Sequence, residues 1–322
     1  MRTFLLALFL FSANQVTSQE YQYIDSIVNQ YPKKFKSIEN FAYEVSLDFK
    51  SNIERTRAVY YWISNNITYD YKSLRKKRKK KKIKFKSRSE YEAKVNKLNR
   101  KIAEKTLRNK SAVCEGYSRL LTEVLKDLNV ISVVVTGYAK QLPNEIGRIR
   151  RNSNHAWNAV KIKGDWFLID ATWSTGNSIY NSNFFNFSDT YFLMPPDAMI
   201  LSHFPDDEQW QLQKKPISKT DYFNLPIYYT AYHSSGLKLK DNFSGLITTK
   251  TGSTIQLDFT KIDENKTYYY SFDKGKSGEI KFKNEDDIYK LLIPYEDKRR
   301  KNLLISDGQL GLIKFKIKLI KD

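Results

Sequence analysis

Residues 111–128 read SAVCEGYSRLLTEVLKDL and place the only cysteine of the chain at the start of an amphipathic helix. The apolar positions after Cys114 recur every three or four residues, which is typical of a helix with one buried face. These positions are Tyr117, Leu120, Leu121, Val124, Leu125 and Leu128. Free backbone N–H groups and the helix dipole at such a start favour a thiolate over a thiol. A lone thiol in this position therefore indicates chemistry, although a small buried apolar residue is the alternative.

Three segments after this helix have the composition of β-strands. Residues 131–136 are rich in β-branched side chains, and residues 154–162 and 166–170 are predominantly apolar. The intervening residues 163–165 read Lys-Gly-Asp, which predicts a hairpin turn. The sequence therefore predicts a helix followed by an antiparallel sheet.

His155 and Asp170 lie at the outer ends of that predicted hairpin. Thiol catalysis needs a base that accepts the proton and a third group that orients the imidazole. In a tight hairpin centred on Gly164, Asp170 pairs with Ala159, on the same face as His155. His155 is then four residues away, roughly 13 Å at strand spacing. Contact requires that the hairpin twist, bulge or splay, and the sequence leaves this open.

The local sequences around these three residues resemble the three signatures of the transglutaminase-like superfamily. They read VCEGY at 113–117, NHAWNAV at 154–160 and WFLIDATW at 166–173. Flanking segments are most similar to the kyphoscoliosis-peptidase-like branch, and the resemblance covers about residues 40–226. These flanks are YWISNNITYD at 61–70, SDTYFLMPP at 188–196, SHFP at 202–205 and WQL at 210–212.

The resemblance implies an α+β fold with a papain-like core, in which a cysteine helix packs on an antiparallel sheet. It implies that Cys114 is the nucleophile, His155 the base and Asp170 the orienting acid. The implied chemistry is attack on a peptide or amide carbonyl to form a thioester. Water as acceptor makes such an enzyme a peptidase or amidase, and an amine makes it a transglutaminase.

The sequence before and after Cys114 differs from that of crosslinking transglutaminases. Those enzymes carry Gly-Gln-Cys-Trp, whereas this chain reads Ala-Val-Cys-Glu at 112–115. There is no acidic loop of calcium-binding pattern, so we expect no metal and no cofactor. The backbone N–H of Cys114 is the natural first oxyanion donor, and the second donor is unassigned.

The chain divides by composition into three parts. Residues 1–18 have the pattern of a secretory signal peptide, with an apolar run from Phe4 to Phe11 followed by small and polar residues. Residues 19–230 are predicted to form the transglutaminase-like core. Residues 231–322 contain short alternating segments separated by Gly, Asp, Asn and Lys turns, which predict a β-sandwich-like domain.

Most of the net charge of +20 lies in one segment, the basic insertion at about 72–110, which carries 19 Lys and Arg but only 3 Asp and Glu. The consecutive basic residues within 75–88 predict a solvated loop, because such a run repels itself. Tyr91, Val95, Leu98 and Ile102 then predict a helix with an apolar stripe. The insertion either increases solubility or attracts an anionic surface partner. No nucleic-acid-binding signature accompanies it.

These features predict an exported protein whose expected partner is a protein or peptide substrate. No later segment approaches 18 apolar residues, so no transmembrane segment is expected. The other two histidines, His203 and His233, are interpreted as structural. Two functions follow: a cysteine-dependent acyl-transfer enzyme, or a non-catalytic binding or scaffold protein on the same fold.

Overall fold

The computed structural model describes residues 18–75, 83–175, 187–241, 243–273 and 276–320. The predicted signal peptide therefore lies outside the described residues except for Ser18, and most of the basic run, at 76–82, also lies outside them. Within these ranges the chain has the mixed helix-and-sheet composition that the sequence predicts.

The helices lie in the N-terminal two thirds of the chain. Serine side chains begin four of those described, because Ser37, Ser51, Ser87 and Ser218 each accept a hydrogen bond from a backbone N–H of the first turn. The helices are α1 (Ser18–Val28), α2 (Ile38–Asp48), α3 (Asn52–Asn66), α4 (Tyr71–Arg75), α5 (Arg88–Asn109), α6 (Cys114–Asp127), α7 (Pro196–Met199) and α8 (Lys219–Asn224).

Helix α6 packs on an antiparallel sheet of four strands, as the fold prediction requires. The strand order is β5 (Asp165–Ile169), β4 (His155–Ile162), β3 (Ser132–Ala139) and β6 (His203–Pro205). The other face of α6 packs on α2, α3 and α5 around one apolar cluster. This helix therefore lies in the centre of the core, which explains its continuous apolar stripe.

The β4–β5 hairpin differs from the predicted register. Lys163 and Gly164 alone form the turn, both with positive φ, so that Ile162 pairs with Asp165. Continuing this register places Asp170 opposite Trp157, two residues from His155, whereas the prediction placed it opposite Ala159. The predicted pairing was wrong by two residues: a turn centred on Gly164 pairs Asp170 with Asn158 and not with Ala159, and the observed turn moves the pairing one residue further because Asp165 belongs to the strand. In the observed register Asp170 still lies on the same face as His155, and no bulge is needed to bring the two residues together.

Helix α5 confirms the helical prediction for the second half of the basic insertion, but its apolar stripe is largely unburied. Tyr91 and Leu98 are both more than 40% exposed, and burial occurs only near the C-terminal end, at Ala103, Thr106 and Leu107. The first part of α5 therefore has no core partner among the described residues. None of the helices described is both long enough and apolar enough to cross a membrane.

Strands dominate the C-terminal part of the chain. Two short strands of the N-terminal part, β1 (Thr68–Tyr69) and β2 (Ser111–Ala112), pair with each other. The strands from residue 227 onward form two sheets around one apolar cluster. One sheet has the order β13 (Lys283–Glu285), β14 (Ile288–Tyr295), β10 (Ser253–Lys261) and β8 (Lys238–Leu239). The second has the order β12 (Ser277–Glu279), β11 (Tyr269–Phe272), β15 (Asn302–Ser306), β16 (Gly311–Leu319) and β7 (Ile227–Tyr228), with β9 (Leu246–Thr249) beside β16. Strand β7 precedes the predicted domain boundary at 230.

Candidate active site

Cys114 begins helix α6 and is 8% exposed. The residue before it, Val113, has an extended backbone and provides no side-chain cap for the helix. The helix is held to the sheet by Asn158 of β4, whose amide nitrogen donates to the backbone oxygen of Ser118 at 3.1 Å and to Oγ1 of Thr122 at 2.9 Å. The strand that begins with His155 is thereby fixed against the helix that begins with Cys114.

The structure brings the three predicted site residues together. Asp170 follows β5, and its backbone N–H donates to the oxygen of Tyr191 at 2.9 Å. One of its carboxylate oxygens, Oδ2, is 2.5 Å from Nε2 of His155. Cys114 lies close enough to the His155 ring to contribute to the shift of its pKa. Because Nε2 faces Asp170, the nitrogen available to the sulfur is Nδ1.

The carboxylate of Asp170 is almost fully buried and has four nitrogen partners. Oδ1 accepts backbone hydrogen bonds from Thr172 at 2.7 Å and Trp173 at 3.1 Å, and Oδ2 faces Nε2 of His155 and of His203. Burial alone would raise the pKa of Asp170, but the charge and hydrogen bond of His155 and the contact with His203 hold it well below its usual range. Asp170 is therefore an anion at neutral pH.

The pKa of His155 shifts in the opposite direction. Burial would lower its pKa, but the Asp170 charge and hydrogen bond, together with the Cys114 side chain, raise it to about 10. The site therefore places a positively charged imidazolium, hydrogen-bonded to a buried carboxylate, beside Cys114.

His203 is a member of this site that the sequence interpretation missed. Its Nε2 lies 3.0 Å from Oδ2 of Asp170, and its Nδ1 lies 2.7 Å from the hydroxyl of Ser202. Burial lowers its pKa to about 4, so it is neutral at physiological pH. The spacing of 33 residues from Asp170 gives no signal, because the contact depends on the pairing of β6 with β3.

Aromatic rings surround the two histidines. Trp157 lies 5.9 Å from the His155 ring and 5.2 Å from the His203 ring, and Trp173 lies 5.8 Å and 4.5 Å from the same rings. Gly137 of β3 makes this arrangement possible, since a Cβ there would be 2.8 Å from the Trp157 ring and 2.1 Å from the oxygen of Phe204. The rings shield the His–Asp–His contacts from water and strengthen their electrostatic coupling.

Tyr69 lies on the strand beside the residues that lead into Cys114, because it pairs with Ala112 across β1 and β2. Cys114 is close enough to act electrostatically on the Tyr69 hydroxyl. Burial, followed by the charge of Cys114, raises the pKa of Tyr69 above its ordinary value. The phenol is therefore neutral and keeps a proton that it can donate.

His155, Asp170 and His203 also have the spacing of metal ligands, with their ligand atoms within 4.8 Å of one another. The same atoms form the hydrogen bonds between the three side chains, so a cation would have to displace both Nε2 groups from Oδ2. His233 does not join this set, although its ring lies 6.3 Å from that of Tyr191.

Comparison with known proteins identifies the core. Residues 36–178, which contain Cys114, His155 and Asp170, match the family model described as a transglutaminase-like domain. Residues 36–178 are therefore a transglutaminase-like domain. The resemblance predicted from the three motifs is thereby confirmed. The matched segment ends before His203, so the model does not include every side chain of the site.

Curated relatives of this transglutaminase-like chain include the kyphoscoliosis peptidases of Mus musculus and Homo sapiens. The mouse protein is 29% identical over 214 residues, which is 65% of this chain and 29% of the relative. The human protein is 27% identical over 239 residues, which is 73% of this chain and 33% of the relative. The hillarin of Drosophila melanogaster is 28% identical over 147 residues, 41% of this chain and 18% of hillarin. The chain thus spans at most about a third of the length of these relatives.

A solved structure titled as that of a TGase is also similar. It is 17% identical to this chain, and the match covers 56% of this chain and 40% of that one, with a TM-score of 0.28.

Proposed function

We propose that this protein is an exported cysteine-dependent enzyme that transfers acyl groups from peptide or amide bonds through a thioester. The observation that supports this most strongly is the 2.5 Å contact between His155 and Asp170, with Cys114 close enough to contribute to the shift of the His155 pKa. The names of the kyphoscoliosis peptidases are consistent with hydrolysis. Export rests on the pattern of residues 1–18 alone.

In the proposed reaction, the thiolate sulfur of Cys114 attacks the carbonyl carbon of the scissile amide. The carbonyl electron pair moves to oxygen, and the resulting tetrahedral intermediate collapses as the C–N bond breaks. His155 gives its Nδ1 proton to the leaving amine, and a thioester remains on Cys114. His155 then accepts a proton from water, which attacks the thioester and releases the acid and the thiolate.

Asp170 has two roles in this scheme. Its hydrogen bond to Nε2 keeps Nδ1 of His155 directed at the sulfur, and its charge stabilises the imidazolium while the acyl group is transferred. The burial of Asp170 among four nitrogen partners holds the carboxylate in place, so that little reorganisation is needed during the reaction.

A non-catalytic binding or scaffold role is the second candidate, and the low exposure of Cys114 favours it. A thiol that is 8% exposed must still be reached by a substrate carbonyl carbon. The two functions therefore differ in whether Cys114 reacts rapidly with a small electrophile.

The first test measures the rate of Cys114 alkylation by iodoacetamide at pH 7, followed by intact mass. We expect His155→Ala to reduce this rate at least 10-fold, because the imidazolium that stabilises the thiolate is gone. His233→Ala is the matched control, since His233 has no hydrogen bond to the site, and its rate should equal that of the wild type. Equal rates in the wild type and His155→Ala would contradict the enzyme proposal and favour the scaffold.

A peptide library, assayed with and without an added primary amine, separates the two reaction types. We expect peptide cleavage that is independent of the amine. Mass addition of the amine to glutamine side chains would instead assign transglutaminase activity, and an inert Cys114→Ala variant shows that either product depends on the thiol.

The basic insertion is proposed as a site for an anionic surface partner. Its most basic run, at 76–82, lies outside the described residues, so the proposal rests on the charge of the sequence.

A further inference from the structure

Helix α5 is fixed to the core near its C-terminal end. Leu107 is buried there, and the guanidinium of Arg100 pairs with Asp127 of α6 at 3.0 Å and with Glu39 of α2. None of the residues 88–99 is buried. About 18 Å of helix, at 1.5 Å per residue, therefore carries side chains that do not pack into the core of the described chain.

An apolar stripe runs along this exposed part of α5. Tyr91, Val95 and Leu98 are four and three residues apart and so share one face of the helix. Tyr91 is 42% and Leu98 45% exposed. Phe85, in the segment before the helix, is 55% exposed, and its ring centroid lies 4.9 Å from that of Tyr91. These four residues, the α5 stripe, form an exposed apolar surface of the kind that marks an interaction site.

Hydrogen bonds hold the segment that carries Phe85 against the first turns of α5. The backbone N–H of Lys86 donates to Oε2 of Glu90 at 2.6 Å. Nζ of Lys94 donates to Oε1 of Glu90 at 2.7 Å and to the backbone oxygen of Lys84 at 2.9 Å. The Phe85 ring is thereby kept beside Tyr91, so the α5 stripe is a formed surface before any partner binds.

Positive charge surrounds the α5 stripe. Residues 83–110 contain 10 Lys and Arg but only 3 Asp and Glu. Two of these acids, Glu90 and Glu92, already pair with basic side chains of the same helix. Exposed lysines with no carboxylate partner in the described part of the chain include Lys97, Lys101 and Lys105. The surface therefore combines an apolar stripe with unpaired cations, which favours an anionic partner.

The combination discriminates between the kinds of partner. An acidic polysaccharide offers charge but little apolar surface for the stripe. A second copy of α5 offers an apolar stripe but carries the same positive charge, which opposes its approach. An anionic lipid bilayer offers both, because a helix with lysines beside aromatic and aliphatic side chains lies in the headgroup region and buries its apolar face at the acyl boundary.

We propose that the α5 stripe and its lysines form a docking surface for an anionic lipid bilayer. The apolar side chains enter the interface, and the lysines bind the lipid phosphates. This inference rests on the anionic partner proposed above for the basic insertion, names that partner, and is independent of the acyl-transfer chemistry. Because α5 ends at Asn109 and α6 begins at Cys114, docking holds the candidate active site close to the membrane surface.

The test measures co-sedimentation with vesicles of phosphatidylcholine alone or with about one third phosphatidylglycerol. Retention on immobilised heparin is measured in parallel, because heparin carries charge without an apolar phase. Residues 19–322, the form expected after export, are used, since the apolar run at 4–11 would itself bind lipid. We expect the wild type to bind the anionic vesicles about 10-fold more tightly than the neutral ones, and less tightly as salt is added.

Two triple variants test the apolar contribution, and each replaces three exposed apolar residues by glutamine, a good helix former. The stripe variant carries Phe85→Gln, Tyr91→Gln and Leu98→Gln, and the matched control, on α1 and α2, carries Tyr23→Gln, Tyr43→Gln and Leu47→Gln.

We expect the stripe variant to bind anionic vesicles about 10-fold more weakly than the wild type, because the inserted side chains are lost. Its heparin retention should be unchanged, since every lysine remains, and the control should match the wild type in both assays. Unchanged alkylation of Cys114 in both variants shows that the core is intact.

Four outcomes would overturn the inference. Equal vesicle binding by the stripe variant and the wild type would leave a purely electrostatic contact. A parallel loss of heparin retention in the stripe variant would show that the substitutions disturb the whole basic surface. Self-association of the wild type without lipid, absent in the stripe variant, would assign the stripe to a second copy. A wild type retained on heparin but not on vesicles would assign a polysaccharide and keep the proposed anionic partner, whereas binding to neither would overturn that partner as well.

Discussion

At the scale of single residues, the decisive group is the Asp170 carboxylate. A buried anion is costly unless it is paired and hydrogen-bonded, and Asp170 meets this condition with two backbone amides and two imidazoles. The pKa of His155 is raised, so this imidazole is the charged partner, whereas the pKa of His203 is lowered and this imidazole stays neutral. Two histidines on the same carboxylate oxygen thus differ in protonation.

His203 is therefore expected to act as a positioning residue. His203→Leu removes the donor to Oδ2 of Asp170, so that Asp170 moves and the orientation of His155 is less strictly held. We expect at least a 10-fold fall in kcat with little change in KM. His203→Gln keeps an N–H donor of similar reach and should recover most of that loss.

The pH profile of kcat gives a second readout for this prediction. The neighbouring His203 ring acts on the titration of the His155–Asp170 pair, so the alkaline limb should shift in His203→Leu. A Leu variant that loses thermal stability but keeps the wild-type kcat and pH profile would assign His203 to structure alone.

At the scale of elements, the start of α6 depends on close packing rather than on a side-chain cap. Gly116, in the first turn, lies against β2 and α5, and a Cβ there would be 2.4 Å from Cβ of Ala112 and 2.6 Å from Oγ1 of Thr106. The absence of a side chain lets the strand that precedes the helix pass close to its first turn. The position of Cys114 thus depends on a glycine two residues after it.

Gly116→Ala should destabilise the protein by about 1–3 kcal/mol, because the added methyl group forces β2 and Thr106 outward. Urea unfolding at neutral pH measures this change. Lys126→Ala, at an exposed position of the same helix, should change the unfolding free energy by less than about 0.5 kcal/mol. A Gly116→Ala variant as stable as the wild type would contradict the packing argument.

At the scale of the whole molecule, buried titratable groups link stability to pH. Burial lowers the pKa of His203 and His233 to about 4, so between pH 5 and 6 both are protonated only in the unfolded chain. Lys140, buried with Nζ donating to the oxygens of Tyr222 and Leu225, has a pKa lowered to about 7.

The signs follow from where each group binds its proton. Between pH 5 and 6 the unfolded state binds about two more protons than the folded state, so stability rises with pH by about 2.7 kcal/mol per unit. Between pH 7 and 10, the unfolded state binds about one more proton than the folded state at Lys140, so this residue makes stability rise with pH. At His155 the folded state binds about one more proton, because the folded pKa of about 10 exceeds the ordinary value of 6.5, so this residue makes stability fall with pH. The two contributions offset each other, and the curve should be nearly flat.

Lys140→Met tests this balance. The variant loses the contribution of Lys140, so its unfolding free energy should fall by about 1.4 kcal/mol per pH unit between pH 7 and 9. Urea titrations at pH 5, 6, 7, 8 and 9 on both proteins measure the slopes. The same alkaline slope in both proteins would contradict the assigned role of Lys140.

The sequence was sufficient for part of this fold and site. The recurrence of apolar side chains every three or four residues over 117–128 predicted α6, because such side chains must lie on the buried face of a helix that packs between other helices and a sheet. The motifs around Cys114, His155 and Asp170 predicted the superfamily. The predicted hairpin register was wrong by two residues, and one of these arose because Asp165 could not be assigned to the strand or to the turn without knowledge of the backbone dihedrals.

What the sequence determined by itself was the order of its elements and the three residues that carry the family signatures, because both are properties of residues near one another along the chain. Only the tertiary structure determined that Asp170 also contacts His203, and that Tyr69 pairs with Ala112 beside the start of α6. These contacts depend on strand pairings, β6 with β3 and β1 with β2, that join segments far apart in sequence. No local pattern encodes such pairings, since they are selected by the packing of the whole core.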